Sequence, residues 1–235
     1  MPTTRKEAIL CQSDSMDVLF NALLERVESH KASIPVITGP TGSGKSHLAM
    51  MLAERIKGEI VSCDSMQVYR DMDIGTAKAS FQERQLIPHY MVDIIDADEE
   101  FSVADYQKQV KSIIEQLNKE NTIPVLVGGT GLYYQAVVDN YQFFPLQSRN
   151  EVREKWQDIV NNTGLEFAYE ALSRIDPDYA GKISPQDEKR IIRAIEVYEL
   201  TGKPFSQQQT RDRDTYRLAV AGLYLDREVL YQRIN

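Results

Sequence analysis

The sequence predicts an α/β fold: a parallel sheet with helices on both faces, interrupted by a helical insertion. Three observations carry that prediction. From Ile34 onward, short apolar runs alternate with stretches of helical period. A glycine-rich turn follows the first apolar run, and the alternation stops over residues 140–214 before strand character returns at Tyr216. Alternation of this kind builds parallel sheets, because each crossover helix returns the chain to start the next strand in the same direction.

The elements follow in order. In the N-terminal extension, residues 1–33, Val18, Leu19, Ala22, Leu23 and Val27 recur at helical spacing. They predict a short amphipathic helix in a peripheral leader to which no role is assigned. Residues 34–38 read as a buried strand, 46–57 as a helix, 59–63 as a second strand and 90–95 as a third. Val103, Tyr106, Val110, Ile113, Ile114 and Leu117 lie on one stripe of a helix over 103–118. Residues 123–127 form a fourth strand, leading through Gly128-Gly129 into another helix. Over 140–214 the sequence is charged and helical in period. Ser184-Pro185-Gln186-Asp187 has the chemistry of a helix start and Thr201-Gly202-Lys203-Pro204 that of a stop. The reading is therefore a core of 34–139 and 215–235 with 140–214 inserted as a helical unit.

Composition limits the function classes. With 42% hydrophobic and 26% charged residues, the chain has the balance of an ordinary globular protein. No run approaches the roughly 18 apolar residues of a membrane span, and the N-terminus lacks the pattern of a secretory leader. Cys11 and Cys63 lack metal-ligand spacing and read as reduced thiols of a cytoplasmic protein. The 27 basic and 35 acidic residues give a net charge of −8, which argues against a surface coated for nucleic acid but leaves room for a local basic strip.

Gly39-Pro40-Thr41-Gly42-Ser43-Gly44-Lys45-Ser46 matches G-x-x-x-x-G-K-[ST] between a strand and a helix. The glycines let backbone N–H groups converge on phosphate oxygens, the helix start adds positive potential, and Lys45 supplies a mobile charge. Ser46 offers a hydroxyl to Mg2+ bridging the phosphates. The fold class is thus P-loop NTPase-like. An ATPase of that class also needs a carboxylate closing an apolar strand. The run Ile123-Pro124-Val125-Leu126-Val127 ends instead in Gly128-Gly129-Thr130, which leaves Asp64, after the second strand, as the nearest carboxylate candidate. It reads as a metal ligand or general base.

Further segments point to a family. Asp64-Ser65-Met66-Gln67-Val68-Tyr69-Arg70 with Met72-Asp73-Ile74-Gly75-Thr76-Ala77-Lys78, Pro88-His89 leading to Asp93-Ile94, and Ser102-Val103-Ala104-Asp105-Tyr106 resemble bacterial tRNA dimethylallyltransferases. So do Val127 to Tyr133, Arg190 to Tyr198, and Thr201-Gly202-Lys203-Pro204. The resemblance covers residues 34–235. It implies transfer of a dimethylallyl group from dimethylallyl diphosphate to the exocyclic amine of the adenosine beside the tRNA anticodon. Asp64 would be the general base, and residues Gly39 to Ser46 would hold the diphosphate with Mg2+. The tRNA anticodon stem-loop would meet Asp64, Ser65, Met66, Gln67, Thr130, Arg153, and the segment Lys189, Arg190, Ile191, Ile192 and Arg193. Family members also reach the phosphate loop sooner and continue past the position of Asn235, where an arginine helps hold diphosphate, so a C-terminally truncated product is expected. No membrane partner is implied, and a monomer is expected.

Rival readings are an adenine-nucleotide prenyltransferase, a small-molecule kinase, and a chain that binds tRNA or diphosphate without turnover. His89 reads as a packed or hydrogen-bonded histidine. Tyr133 and Tyr134 serve core packing or base stacking. Asp93, Asp96 and Asp98 read as solvated turn acids at a strand end and the loop after it.

Overall fold

A computed structural model describes residues 9–13, 15–30, 33–141, 143, 149–208 and 215–234. Its strands are β1 (Ile9–Ser13), β2 (Ile34–Thr38), β3 (Glu59–Ser62), β4 (His89–Tyr90), β5 (Pro124–Gly128) and β6 (Leu218–Leu223). They form one sheet in the order β1-β6-β2-β5-β3-β4, with every pairing parallel. The helices of this part are α1 (Met16–Glu28), α2 (Lys45–Ile56), α3 (Phe81–Leu86), α4 (Val103–Lys119) and α5 (Gly131–Val138). After them come α6 (Arg149–Thr163), α7 (Leu165–Ile175), α8 (Pro177–Ala180), α9 (Glu188–Thr201) and α10 (Phe205–Gln208), and α11 (Arg227–Ile234) follows β6.

The chain divides into two compact units, one of Met1–Asn140 with Asp212–Asn235 and one of Tyr141–Arg211. In the first, side-chain alternation along the strands feeds two apolar layers. Val36, Val61, Leu126 and Val220 pack with Tyr106, Val110, Ile114 and Leu117 of α4 and with Tyr133 and Val137 of α5. Ile37, Ile60, Val125, Val127 and Ala221 face the opposite way, onto Leu48, Ala49 and Leu52 of α2. Covering on both faces is why these strands read as continuous apolar runs rather than alternating ones. The second unit has its own interior, where Trp156 and Val160 of α6 meet Ala168 and Leu172 of α7 and Ile191, Ile192 and Ile195 of α9.

Two findings differ from expectation. Residues 9–13 and 16–28 are built into the core unit rather than peripheral: β1 pairs with β6 at the sheet edge, and Leu19, Leu23 and Val27 of α1 are buried, the first two in the same layer as α2. The side chain of Cys11 lies outside the described residues, whereas Cys63 is a buried free thiol. The third predicted strand, residues 90–95, shrinks to His89–Tyr90 because Met91 (φ 63°) and Asp93 (φ 55°) take left-handed backbone that a strand cannot accommodate. Only a single bridge, Tyr69 to Ile95, follows it.

Candidate functional site

Three neighbouring strands end at one place. Thr38 of β2 pairs with Gly128 of β5, and Ser62 of β3 with Val127 of β5. Just beyond those rungs lie Gly39, one residue past Thr38, Gly129, one past Gly128, and Asp64, two past Ser62, at the carboxyl edge where parallel sheets bind ligands. Gly128 is required there: a Cβ on it would sit 2.2 Å from the Cys63 carbonyl oxygen. That approach lets the Cys63 carbonyl accept the Thr130 N–H at 3.0 Å, while the Thr130 hydroxyl accepts the Ser65 N–H at 3.0 Å and donates to the Ser65 hydroxyl at 3.3 Å. Asp64 is therefore held on both sides in sequence by the turn after β5. Beneath it, the buried Tyr106 hydroxyl reaches the Ser62 carbonyl at 2.8 Å and the Cys63 sulfur at 3.1 Å, with its ring stacked on Tyr133 at 3.9 Å. These assignments give Tyr133 a packing role. Burial drives the Cys63 thiol up to about 12, so it stays protonated and inert.

Residues Gly39 to Ser46 wrap between β2 and α2. Gly44 caps α2 at φ 93°, and the Met16 methyl of α1 lies against it, 2.9 Å from where a Cβ would stand. Pro40, Thr41, Gly42 and Ser46 are exposed, whereas Ser43 is buried and its hydroxyl has no partner among the described residues. Lys45 bends back to donate to the Pro40 carbonyl at 2.7 Å. Burial pulls its pKa below the usual lysine value, and the neighbouring Asp64 carboxylate works in the opposite direction. A second basic group, missed in the sequence, also arrives: Arg233 of α11 donates to the Gly42 carbonyl at 3.2 Å. No local pattern announces it, since 191 positions separate the two. The exposed Ser46 hydroxyl is a hard oxygen of the kind Mg2+ takes, and Ser46 is the residue that would hold the ion. Among the described residues, no group of three or more His, Cys, Asp or Glu side chains could hold a metal ion.

The segment after Asp64 is tied down by its own polar groups. Asp64 Oδ1 accepts the Met66 N–H at 2.9 Å. Gln67 has both ends of its amide engaged, accepting from Ser62 Oγ at 2.8 Å and donating to the Thr76 carbonyl at 3.0 Å. Its side chain thus fixes the segment, while Met66 and Ile74 stay exposed. Lys78, buried to 1% exposure, donates to the Tyr69 carbonyl, Asp73 and Asp93 at 2.9, 2.8 and 2.6 Å, and Arg84 joins Asp93 at 2.5 Å. Asp93 is therefore an ion-paired anchor rather than a solvated acid, and Lys78 and Arg84 hold its carboxyl below the usual range against the opposing effect of burial. Asp96 pairs with Arg70 at 2.7 Å, and Asp98 is exposed. His89, half-buried, sits with Nδ1 2.7 Å from the Ile87 carbonyl, as a hydrogen-bonded histidine should.

In the helical unit, the five-residue segment on α9 splits by face. Ile191 and Ile192 are buried in the apolar interior, which corrects their expected place on an RNA-facing surface. Helical periodicity explains it: positions 189, 190 and 193 point outward while 191 and 192 turn in. Lys189 and Arg190 are exposed, Arg190 lying 3.3 Å from Asp187. Arg193 and Arg153 of α6 both contact Glu196, at 2.8 and 3.3 Å.

The model of one family, IPP transferase, matches residues 67–235. The chain belongs to the IPP transferase family. Among curated members, it is 54% identical over 202 residues to the tRNA dimethylallyltransferase of Syntrophomonas wolfei, covering 86% of this chain and 65% of that protein. It is 49% identical over 207 residues to the tRNA dimethylallyltransferase of Halothermothrix orenii, covering 87% and 63%. The chain thus spans a little under two thirds of the length of these relatives. A solved eukaryotic dimethylallyltransferase acting on tRNA superposes with a TM-score of 0.73 at 35% identity, over 85% of this chain and 50% of that one. The tRNA isopentenylpyrophosphate transferase of Bacillus halodurans gives 0.54 at 40% identity, over 85% and 62%.

Proposed function

We propose that this IPP transferase family chain carries the catalytic centre of a tRNA dimethylallyltransferase, acting in the cytoplasm on the adenosine next to the anticodon. The observation that carries this reading is Asp64: a carboxylate fixed by the turn after β5, at the strand edge where the phosphate loop leaves β2. An ATPase of this loop type would place a carboxylate at the end of β5, where this chain has Gly128-Gly129-Thr130.

The chemistry follows from the two groups. The adenosine amine is a weak nucleophile because its lone pair is delocalised into the ring. As it forms the N–C bond to the allylic carbon, Asp64 takes one amine proton, so the carboxylate becomes a carboxylic acid. The C–O bond to diphosphate breaks with its electron pair leaving on oxygen. Loop N–H groups and Lys45 stabilise that negative charge, for which Lys45 must exchange its bond to Pro40 for one to phosphate. Mg2+ bound at Ser46 would add charge neutralisation to the same leaving group. The adenosine must leave its stack to reach Asp64. Met66, exposed two positions after that carboxylate, offers apolar surface for a base or for the allyl group.

The deciding experiment incubates the chain and its Asp64→Ala variant with dimethylallyl diphosphate, Mg2+ and an anticodon stem-loop, and reads the RNA by mass spectrometry. The unaltered chain is expected to add one dimethylallyl group, and Asp64→Ala to lose at least about a hundredfold in rate. Full activity in the variant would remove Asp64 from the chemistry. Phosphoryl transfer from ATP to a small acceptor would favour the kinase reading instead.

A further inference from the structure

Glu196 is wholly buried in the helical unit, at 0% exposure, among Ile192, Ile195 and their neighbours. Its Oε2 accepts from Arg193 Nη1 at 2.8 Å, on the same helix, and from Arg153 Nη2 at 3.3 Å, on α6. Its Oε1 has no partner among the described residues. The other buried acid of this unit, Asp176, has an evident structural use: it accepts the N–H groups of Tyr179 and Ser206 at 3.1 and 2.7 Å. Among the described residues, the Glu196 side chain bonds to no backbone group. Removing a carboxylate from water is costly, and apolar replacements of buried ion pairs are often neutral or stabilising. Stability is thus a poor reason for this residue.

What Glu196 does do is hold two guanidinium groups on one oxygen. Without the carboxylate, these like charges on neighbouring helices would repel and swing apart. With it, Arg153 and Arg193 stay side by side, 54% and 31% exposed, and among the described residues each spends only one N–H on the carboxylate. Two adjacent guanidinium forks facing solvent match the oxygens of a nucleic-acid backbone. We propose that Glu196 is a positioning residue that assembles Arg153 and Arg193 into one clamp for RNA backbone phosphate. The proposal rests on the RNA reading of the preceding section.

The test has a sign that separates positioning from simple charge. Glu196→Gln makes the unit one charge more positive, so if the arginines act only through net charge, RNA binds more tightly. Positioning expects the reverse: affinity of the full chain for a fluorescent anticodon stem-loop falls about fivefold to tenfold, and the slope of log affinity against log salt becomes shallower by about one. A cycle with Arg153→Gln completes it. If Glu196 acts through Arg153, that substitution costs far less affinity in the Glu196→Gln background than in the unaltered chain, whereas additive losses mean that Glu196 acts only on the fold. If Glu196→Gln melts before assay, the cycle between Arg153→Gln and Arg193→Gln takes its place. Non-additive losses support a shared clamp, and additive ones overturn it. Equal or tighter binding by a folded Glu196→Gln also overturns the proposal while leaving the RNA reading intact. Failure of the unaltered chain to bind the stem-loop overturns that reading, and the clamp with it.

Discussion

Thr130 does at the residue scale what no motif pattern announces. Its hydroxyl is both the acceptor for the Ser65 N–H and a donor to the Ser65 side chain, so one oxygen ties the turn after β5 to the residue following Asp64. Thr130→Val keeps the shape and deletes both bonds, leaving a partly buried N–H unpaired. We expect a loss of about 1–2 kcal/mol, read from the urea midpoint, with the proposed dimethylallyl transfer falling further than stability alone accounts for. The loop and Asp64 were legible in the sequence because each is a local pattern, a run of glycines or a carboxylate at a strand end. Their supports were not. Thr130 lies 65 positions from Ser65, and Tyr106 lies 44 from Ser62, so neither partnership leaves a trace in spacing. Asp93 was hidden at shorter range: read with Asp96 and Asp98 it looked solvated, and only folding brings Lys78, 15 positions away, and Arg84, 9 away, onto it.

At the scale of elements, α1 is where reading and structure part most. Its helical period was plain, yet nothing in Val18 to Val27 says which surface the apolar face covers. The structure sets Leu19 and Leu23 against the α2 layer and brings Met16 onto Gly44. Leu19, at 0% exposure, is therefore a core residue of the phosphate-loop unit. Leu19→Ala should cost about 2–5 kcal/mol, measured by urea denaturation, because a rigid layer cannot close the cavity it leaves. A midpoint unchanged from that of the parent would mean that α1 is only laid on the surface. The shortened β4 teaches the converse. Residues 90–95 have strand-like composition, but two left-handed residues cost the run its ladder and turn it into the loop that carries Asp93.

Across the whole molecule, buried ionisable groups set a pH window. Burial pushes Tyr90 and Tyr133 from 10.0 to about 12, with Glu59 adding to the shift of Tyr90, and pushes Cys63 from 9.0 to about 12. All three keep protons that the unfolded chain releases, so between pH 9 and about 12 the folded state binds more of them. Their contribution to stability is whole below pH 9 and drains away as pH climbs towards 12. Urea midpoints measured in steps across that interval should fall steadily, and a flat profile would contradict the burial of these groups. The ladder between β3 and β5 has a consequence of another kind. Val61 pairs with Leu126 and Ser62 with Val127, and this register sets Asp64 at the strand edge, beside the place where Gly39 leaves β2 to start the loop. A slip of one rung would deliver the Cys63 thiol or the Ser65 hydroxyl in its place and turn the acid toward the apolar layer under Tyr106. The sheet acts as a ruler for the chemistry, and a single residue inserted in β3 would erase the centre while leaving every one of its side chains in the chain.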